Sequence, residues 1–193
     1  MTHPRKILHL VVDDKFIDAA IREFEAVAPG CHEYLALDGA NPWRYLRSPL
    51  VQRVDAARWL ERARADDVAA IVFHGLPAGY LPLLRALPAG PQVVWLGWGF
   101  DYYGLLADAF PEGLVQPATA ALLRALPQRP AAAGAAVRCE LGIARPYAKP
   151  TAAERAALAR VDVFSPVLDL EYDMVRRLHP WLRAQHRSWN YLT

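Results

Sequence analysis

Six residues hold most of the chemistry in this sequence: Trp98-Gly99-Phe100-Asp101-Tyr102-Tyr103, preceded by Gly97. They bring together a carboxylate, two phenols and an indole. Aromatic faces beside a hydrogen-bonding carboxylate suit a sugar ring, which has apolar C–H faces and a polar rim. A carboxylate in that place can also take a proton from a hydroxyl within hydrogen-bonding reach. Gly97 and Gly99 are expected to give the backbone its turn and to let a ligand come close. Two further places carry polar residues of the same kind, His74-Gly75 and Asp13-Asp14. For each there is a plainer reading. A lone histidine after a strand is more often structural, Asp13 or Asp14 can cap a helix, and Trp98 can be a rim or core aromatic.

What makes the three places interesting together is the pattern of elements that leads into them. Lys6 to Val12 is a short branched apolar run that reads as a buried strand. Ile17, Ala20, Ile21, Phe24 and Ala28 then recur at helical spacing, Pro29-Gly30 closes the helix, and His32 to Leu37 is a second strand. A loop with Gly39, Pro42 and Pro49 follows, then a helix over Gln52 to Ala65. Val68 to Phe73 is a third strand and Gln92 to Leu96 a fourth, with a short helix between Pro77 and Leu87. Thr151 and Glu154 form a capping box for a helix through Ala159. Val161 to Phe164 is a fifth strand, and Leu170 to Leu178 a last helix ended near Pro180. Residues 111 to 150, rich in proline, read as irregular connection with one helix near Ala118 to Leu126.

Strands alternating with helices predict an α/β fold, a Rossmann-like parallel sheet of about five strands in order 3-2-1-4-5, flanked by helices. Ligands in such sheets bind beyond the carboxyl ends of the strands. Asp13, His74 with Gly75, and Gly97 to Tyr103 all fall at such ends.

Composition narrows the function. The chain has 193 residues, enough for one domain with a sizeable core, and we read it as a single domain over 1–193. A net charge of +2 gives no nucleic-acid footprint. Cys31 and Cys139 form no CxxC pair, and no His or Cys spacing suggests a metal site. There is no Walker A loop, no GxSxG elbow and no HExxH helix, and Gly97-x-Gly99 lacks the third glycine of a dinucleotide fingerprint. No cofactor is therefore expected. The apolar start is too short for a signal peptide and the longest apolar stretch, around Pro91 to Phe100, too short for a span, which makes the cytoplasm the expected compartment.

Phe73-His74-Gly75 closing one strand and Trp98-Gly99-x-Asp101-x-Tyr103 closing the next resemble the N-terminal half of the N-acetylfucosaminyltransferases that act on lipid II of enterobacterial common antigen. The start, KILHLVVDDKFIDAAIREFE, and the end, VFSPVLDLEYDMVRRLHPWLRAQHRSWNY, are similar to a broader set of related bacterial polysaccharide-synthesis proteins. The resemblance implies a glycosyltransferase of the GT-B type, in which two Rossmann-like domains face each other across a cleft. It implies the acceptor-side domain here, with the donor-binding domain absent or supplied by a partner and the chain inactive alone. The implied substrates are a nucleotide-activated deoxy or amino sugar and a polyprenyl-diphosphate-linked saccharide, handled without a metal at the cytoplasmic face of a bacterial inner membrane. On this reading Asp101 is the first candidate for the general base and His74 the second. Asp13, Gly75, Gly97, Trp98, Gly99, Tyr102 and Tyr103 are candidates for binding substrate. Peripheral membrane contact is expected through Trp43-Arg44-Tyr45 with Arg47, and through Arg176-Arg177 to Arg187 with Trp181 and Trp189.

Two other readings compete. Asp13-Asp14 after the first strand is where a receiver-type signalling module holds magnesium, although His74 stands where that module needs a phosphorylatable aspartate and Pro166 where it needs a lysine. A structural Rossmann-like binding module is the other. A polar cleft at the strand ends would favour the enzyme; strand ends filled by side chains would favour the module.

Overall fold

A computed structural model describes residues 5–39, 42–110, 117–118, 121 and 150–189. Its centre is a parallel sheet of seven strands: β1 (Lys6–Val11), β2 (His32–Leu37), β3 (Val51–Val54), β4 (Val68–His74), β5 (Gln92–Leu96), β6 (Val163–Ser165) and β7 (Gln185–His186), in order β3-β2-β1-β4-β5-β6-β7. The α/β, Rossmann-like expectation holds, with two more strands than foreseen. The order 3-2-1-4-5 is there too, but its edge strand is Val51–Val54, which the sequence reading had placed at the start of a helix. Val68–His74, expected at that edge, lies beside β1. The helix α2 (Ala56–Ala63) begins only after β3, where Asp55 accepts the Arg58 amide at 2.7 Å. Four residues are too few for an alternating strand pattern to stand out from the helical one that follows.

Pleating divides the core in two. Along β1, Leu8 and Leu10 point to one side, His9 and Val11 to the other. The Leu8 side is the larger core. There β4 and β5 contribute Ile71, Phe73, Val93 and Trp95, and β6 contributes Phe164. Over them pack Trp59 and Ala63 of α2, Leu83 and Leu84 of α3 (Leu81–Ala86), Ala157 and Leu158 of α4 (Ala152–Leu158), and Val175 of α5 (Asp169–Leu178). The opposite side is covered by α1 (Ile17–Val27), whose Ile17 and Ile21 meet Val11, Tyr34, Ala36, Leu46 and Val51. Right-handed crossovers require this division, because the chain first steps left from β1 and later steps right from it.

Local signals explain the element ends. The capping box at Thr151 is present, with Thr151 Oγ1 accepting the Glu154 amide at 3.2 Å and Glu154 accepting the Thr151 amide at 2.7 Å. The helix α1 lacks a side-chain N-cap; Asp14 instead accepts the Phe16 amide one residue before it, at 3.0 Å. Arg62 pins α2 to the sheet by paired bonds to Glu33 (2.7 and 2.8 Å) and Asp67 (2.8 and 2.9 Å). Apart from Pro150 and positions 117, 118 and 121, the segment 111–150 lies outside the described residues, as does most of the helix expected near Ala118 to Leu126.

Candidate functional site

The ends of β4 and β5 are fastened together by one carboxylate. Asp101 Oδ2 accepts the Leu76 amide at 2.8 Å and the Trp95 indole N–H at 2.7 Å, and Oδ1 accepts the Trp98 amide at 2.8 Å. One side chain thereby holds the turn after β4, the turn after β5 and a core tryptophan. Burial pushes the Asp101 carboxyl above its ordinary range, against the pull of these N–H donors. Gly75 (φ 76°) and Gly99 (φ 87°) supply the left-handed backbone that the two turns need.

The glycines have another purpose than the sequence suggested. A Cβ on Gly97 would lie 2.7 Å from the Tyr102 ring and 2.9 Å from Phe164. One on Gly99 would come within 3.0 Å of Tyr103, and one on Gly75 within 3.5 Å of Phe100. All three glycines are buried; at Gly97 and Gly99 the missing Cβ lets the protein's own rings close over the strand ends, whereas at Gly75 the contact would be an ordinary one and the backbone angle is the reason for glycine. Tyr102 is part of that closure. It is fully buried and donates to Glu171 at 2.5 Å, while accepting the Val167 amide at 3.0 Å. Burial, followed by the Glu171 carboxylate, pushes its phenol upward.

Asp13 is likewise an internal anchor. Its carboxylate accepts the amides of Arg44 (2.6 Å), Tyr45 (2.9 Å) and Leu46 (2.9 Å), and Asp18 next to it accepts those of Arg47 (3.0 Å) and Ser48 (3.1 Å). Five successive amides of the β2–β3 loop therefore end on two carboxylates of the β1–α1 region. Some burial raises the Asp13 carboxyl, but the amides of Arg44, Leu46 and Tyr45, with the charge of Arg47, bring it below the ordinary value. A magnesium site of the receiver type would need those oxygens.

His74 is fully buried, and its partner was not foreseen. His74 Nε2 lies 2.9 Å from His9 Nδ1, and His9 Nε2 lies 2.9 Å from His32 Nδ1. The register explains this: His9 pairs with Tyr34 on β2 and Val72 on β4, and His32 and His74 stand two residues from those partners. A period of two puts all three rings on the α1 face. Burial drives the imidazoles of His9 and His74 well down, His74 to about 3. A histidine inside each of three strands was the available signal, but only strand order and register could join them.

Of the predicted residues, the structure brings together Asp101, Gly75, Gly97, Trp98, Gly99, Tyr102 and Tyr103 around the β4–β5 ends. Asp13 sits one loop away, linked through Phe16, whose ring meets Trp98 edge-on at 6.4 Å. His74 lies beneath, on the α1 face. The loops that leave β5 and β6 expose apolar side chains: Phe100 is 36% exposed, Val167 50%, Leu168 58% and Leu170 65%. Arg44 lies over Tyr45 at 5.0 Å and Arg53 over Trp43 at 4.6 Å. In the second basic-aromatic stretch Arg177, Arg183 and Arg187 are exposed, while Arg176 and the two tryptophans are engaged with the protein. Arg176 donates to the Leu182 carbonyl, Trp181 packs on His179 at 5.4 Å, and Trp189 stacks on Phe24 at 5.4 Å.

Among the described residues no group of three or more histidine, cysteine or acidic side chains is placed to hold a metal ion, and no helix is long and apolar enough to cross a membrane. No protein-family model, curated protein or solved structure matches this chain.

Proposed function

We propose that this fold is the acceptor-side domain of a glycosyltransferase that moves a deoxy or amino sugar from a nucleotide-sugar onto a polyprenyl-diphosphate-linked saccharide. The observation that carries the reading is the rim at the carboxyl ends of β4, β5 and β6. Asp101 fixes two turns there, and aromatic and aliphatic side chains face outward from them. That edge is where ligands of open α/β sheets bind. Trp98 and Phe100 offer faces for a sugar ring, and Arg44 and Arg47 offer charge to a diphosphate. Val167, Leu168 and Leu170 offer an apolar shelf to a lipid tail at a membrane surface. The nucleotide-sugar is a co-substrate, not a resident cofactor. Asp101, with three internal N–H donors, acts by holding the turns in place, and the same holds for Asp13 and its loop.

A structural, non-catalytic module is the second reading, and the rings that close over Gly97 and Gly99 favour it. The two separate in a titration of the chain with a short-chain polyprenyl-diphosphate N-acetylglucosamine, followed by tryptophan fluorescence. The enzyme reading expects saturable binding that Phe100→Ala weakens about fivefold, the worth of roughly 1 kcal/mol of ring contact. Absence of saturable binding, with the fold intact by circular dichroism, would leave the structural module.

A further inference from the structure

The amino ends of the strands form the edge of the sheet opposite the rim, and a small concavity there carries charges that the fold does not use. It measures about 230 Å³ and lies between the turn 64–67 that follows α2 and the loop 88–91 that leads into β5. Arg5, Arg64 and Asp66 stand on it, and Val68, Pro88 and Pro91 give it apolar walls. All three charged residues are exposed, and among the described residues none of their side chains has a hydrogen-bond or ion-pair partner. The end of α2 does not need the Arg64 guanidinium, because the Arg64 backbone amide already donates to the Arg62 and Glu61 carbonyls.

Both walls are fixed by other groups. On one side Arg62 holds Asp67 by bonds of 2.8 and 2.9 Å. The Lys6 amide donates to the Asp67 carbonyl at 2.8 Å, and the Val68 amide to that of Ala65 at 3.0 Å. Across the gap Arg160 donates to the carbonyls of Arg85 (3.0 Å), Leu87 (2.5 Å) and Pro88 (2.9 Å). Pro88 and Pro91 restrict the backbone of that loop, and Gly90 turns it at φ 125°. A concavity built in this way loses little conformational freedom when it is filled.

We propose that this concavity is a second ligand site and that its ligand is a small phosphorylated sugar or polyol. A guanidinium is a planar fork of N–H donors that matches phosphate oxygens, and two of them without internal partners suit a dianion. The last carbonyls of α3, which would oppose an anion, are occupied by Arg160. Asp66 repels a bare phosphate. Its carboxylate only accepts hydrogen bonds, so a ligand that satisfies all three side chains has hydroxyl donors beside its phosphate. The volume is below that of pockets for drug-sized molecules, which restricts the ligand to a single small ring or a short polyol. The proline and valine walls suit the C–H face of such a molecule. The site binds and does not react, and it lies at the opposite edge of the sheet from the acceptor rim.

The test is an amide NMR titration of the full chain with glucose 6-phosphate, glycerol 3-phosphate, inorganic phosphate and glucose. Ionic strength is held constant, because exposed cations attract any anion at low salt. At least one of the two phosphate esters should saturate, move the amides of Arg64, Asp66, Ala89 and Gly90, and bind more tightly than inorganic phosphate. Glucose alone should move none of them. Arg5→Ala and Arg64→Ala should each weaken the ester about tenfold, the worth of one hydrogen bond to a charged group. Asp66→Asn should narrow the preference for the ester over inorganic phosphate, since it removes the repulsion. All three side chains are exposed, so these variants keep the fold. Neither ester saturating, inorganic phosphate binding as tightly, arginine variants that bind like the wild type, or a preference unmoved by Asp66→Asn would overturn the proposal. The titration contains no lipid-linked acceptor, so its outcome is separate from that of the acceptor-side reading.

Discussion

The two faces of the sheet solve the same burial problem with opposite materials. On one side Leu8, Leu10, Phe73, Trp95 and Phe164 pack under four helices, with the Trp95 indole satisfied by Asp101 and the Tyr102 hydroxyl by Glu171. On the other, one helix and a C-terminal segment cover three strands that carry a line of imidazoles. Alternate residues of one strand, β1, serve both. Apolar packing is indifferent to pH, whereas buried histidines are stable only while neutral. The first face therefore supplies stability, and the second makes that stability conditional.

The pH dependence of unfolding is the sharpest way to expose this difference. His9 and His74 are depressed in the folded protein, so below the ordinary value of 6.5 the unfolded chain binds protons that the folded chain refuses. Stability is then complete above about pH 6.5 and lost as pH falls toward the folded value of about 3 for His74. With two such groups the slope below the ordinary value approaches about 2.7 kcal/mol per pH unit, or roughly 4 kcal/mol between pH 7 and pH 5. Urea unfolding at pH 7, 6 and 5 measures it; a flat profile would mean that the imidazoles are not sealed.

The apolar face should break through its volume instead. Trp95→Ala empties a site against Phe164 (4.4 Å) and removes a donor from Asp101, so it should cost about 4 kcal/mol at any pH. Equal loss at pH 5 and pH 7 is the expected signature. Asp101→Asn keeps the shape but sets an amide against N–H groups that need an acceptor. A loss of about 3 kcal/mol is expected in chemical denaturation, through both turns at once. Asp13→Ala should be mildest, about 1 kcal/mol, since it frees amides that water can reach. Its effect should appear as faster hydrogen exchange at Arg44, Tyr45 and Leu46, with the histidine line unaltered.

Much of the fold was legible because β1, β2, β4 and β5 are branched apolar runs and because Thr151 with Glu154 is a self-contained helix start. β3 was missed because four residues before a helix give no period of their own, and β7 because Gln185-His186 has no apolar pattern at all. The site was legible only as a place. Residue types and strand ends located the Gly97–Tyr103 turn. Whether Asp101 faced a ligand or three internal donors depends on how two turns fold back on each other, which spacing does not encode. His9 and His32 looked like ordinary strand residues until register set them beside each other and beside His74.

The stack of Trp189 on Phe24 has a kinetic consequence. These two rings are separated by most of the chain, and between them they wall in the imidazoles of β1 and β4. Contacts so distant in sequence close late, because the intervening loop must first lose its entropy. As the chain emerges from the ribosome, the first strands can pair before residue 189 has been made. During that interval the histidine side stands in water and titrates freely. The order of synthesis thus leaves the most acid-sensitive face of the sheet open until residue 189 has been made, and refolding should slow at low pH before the finished structure weakens.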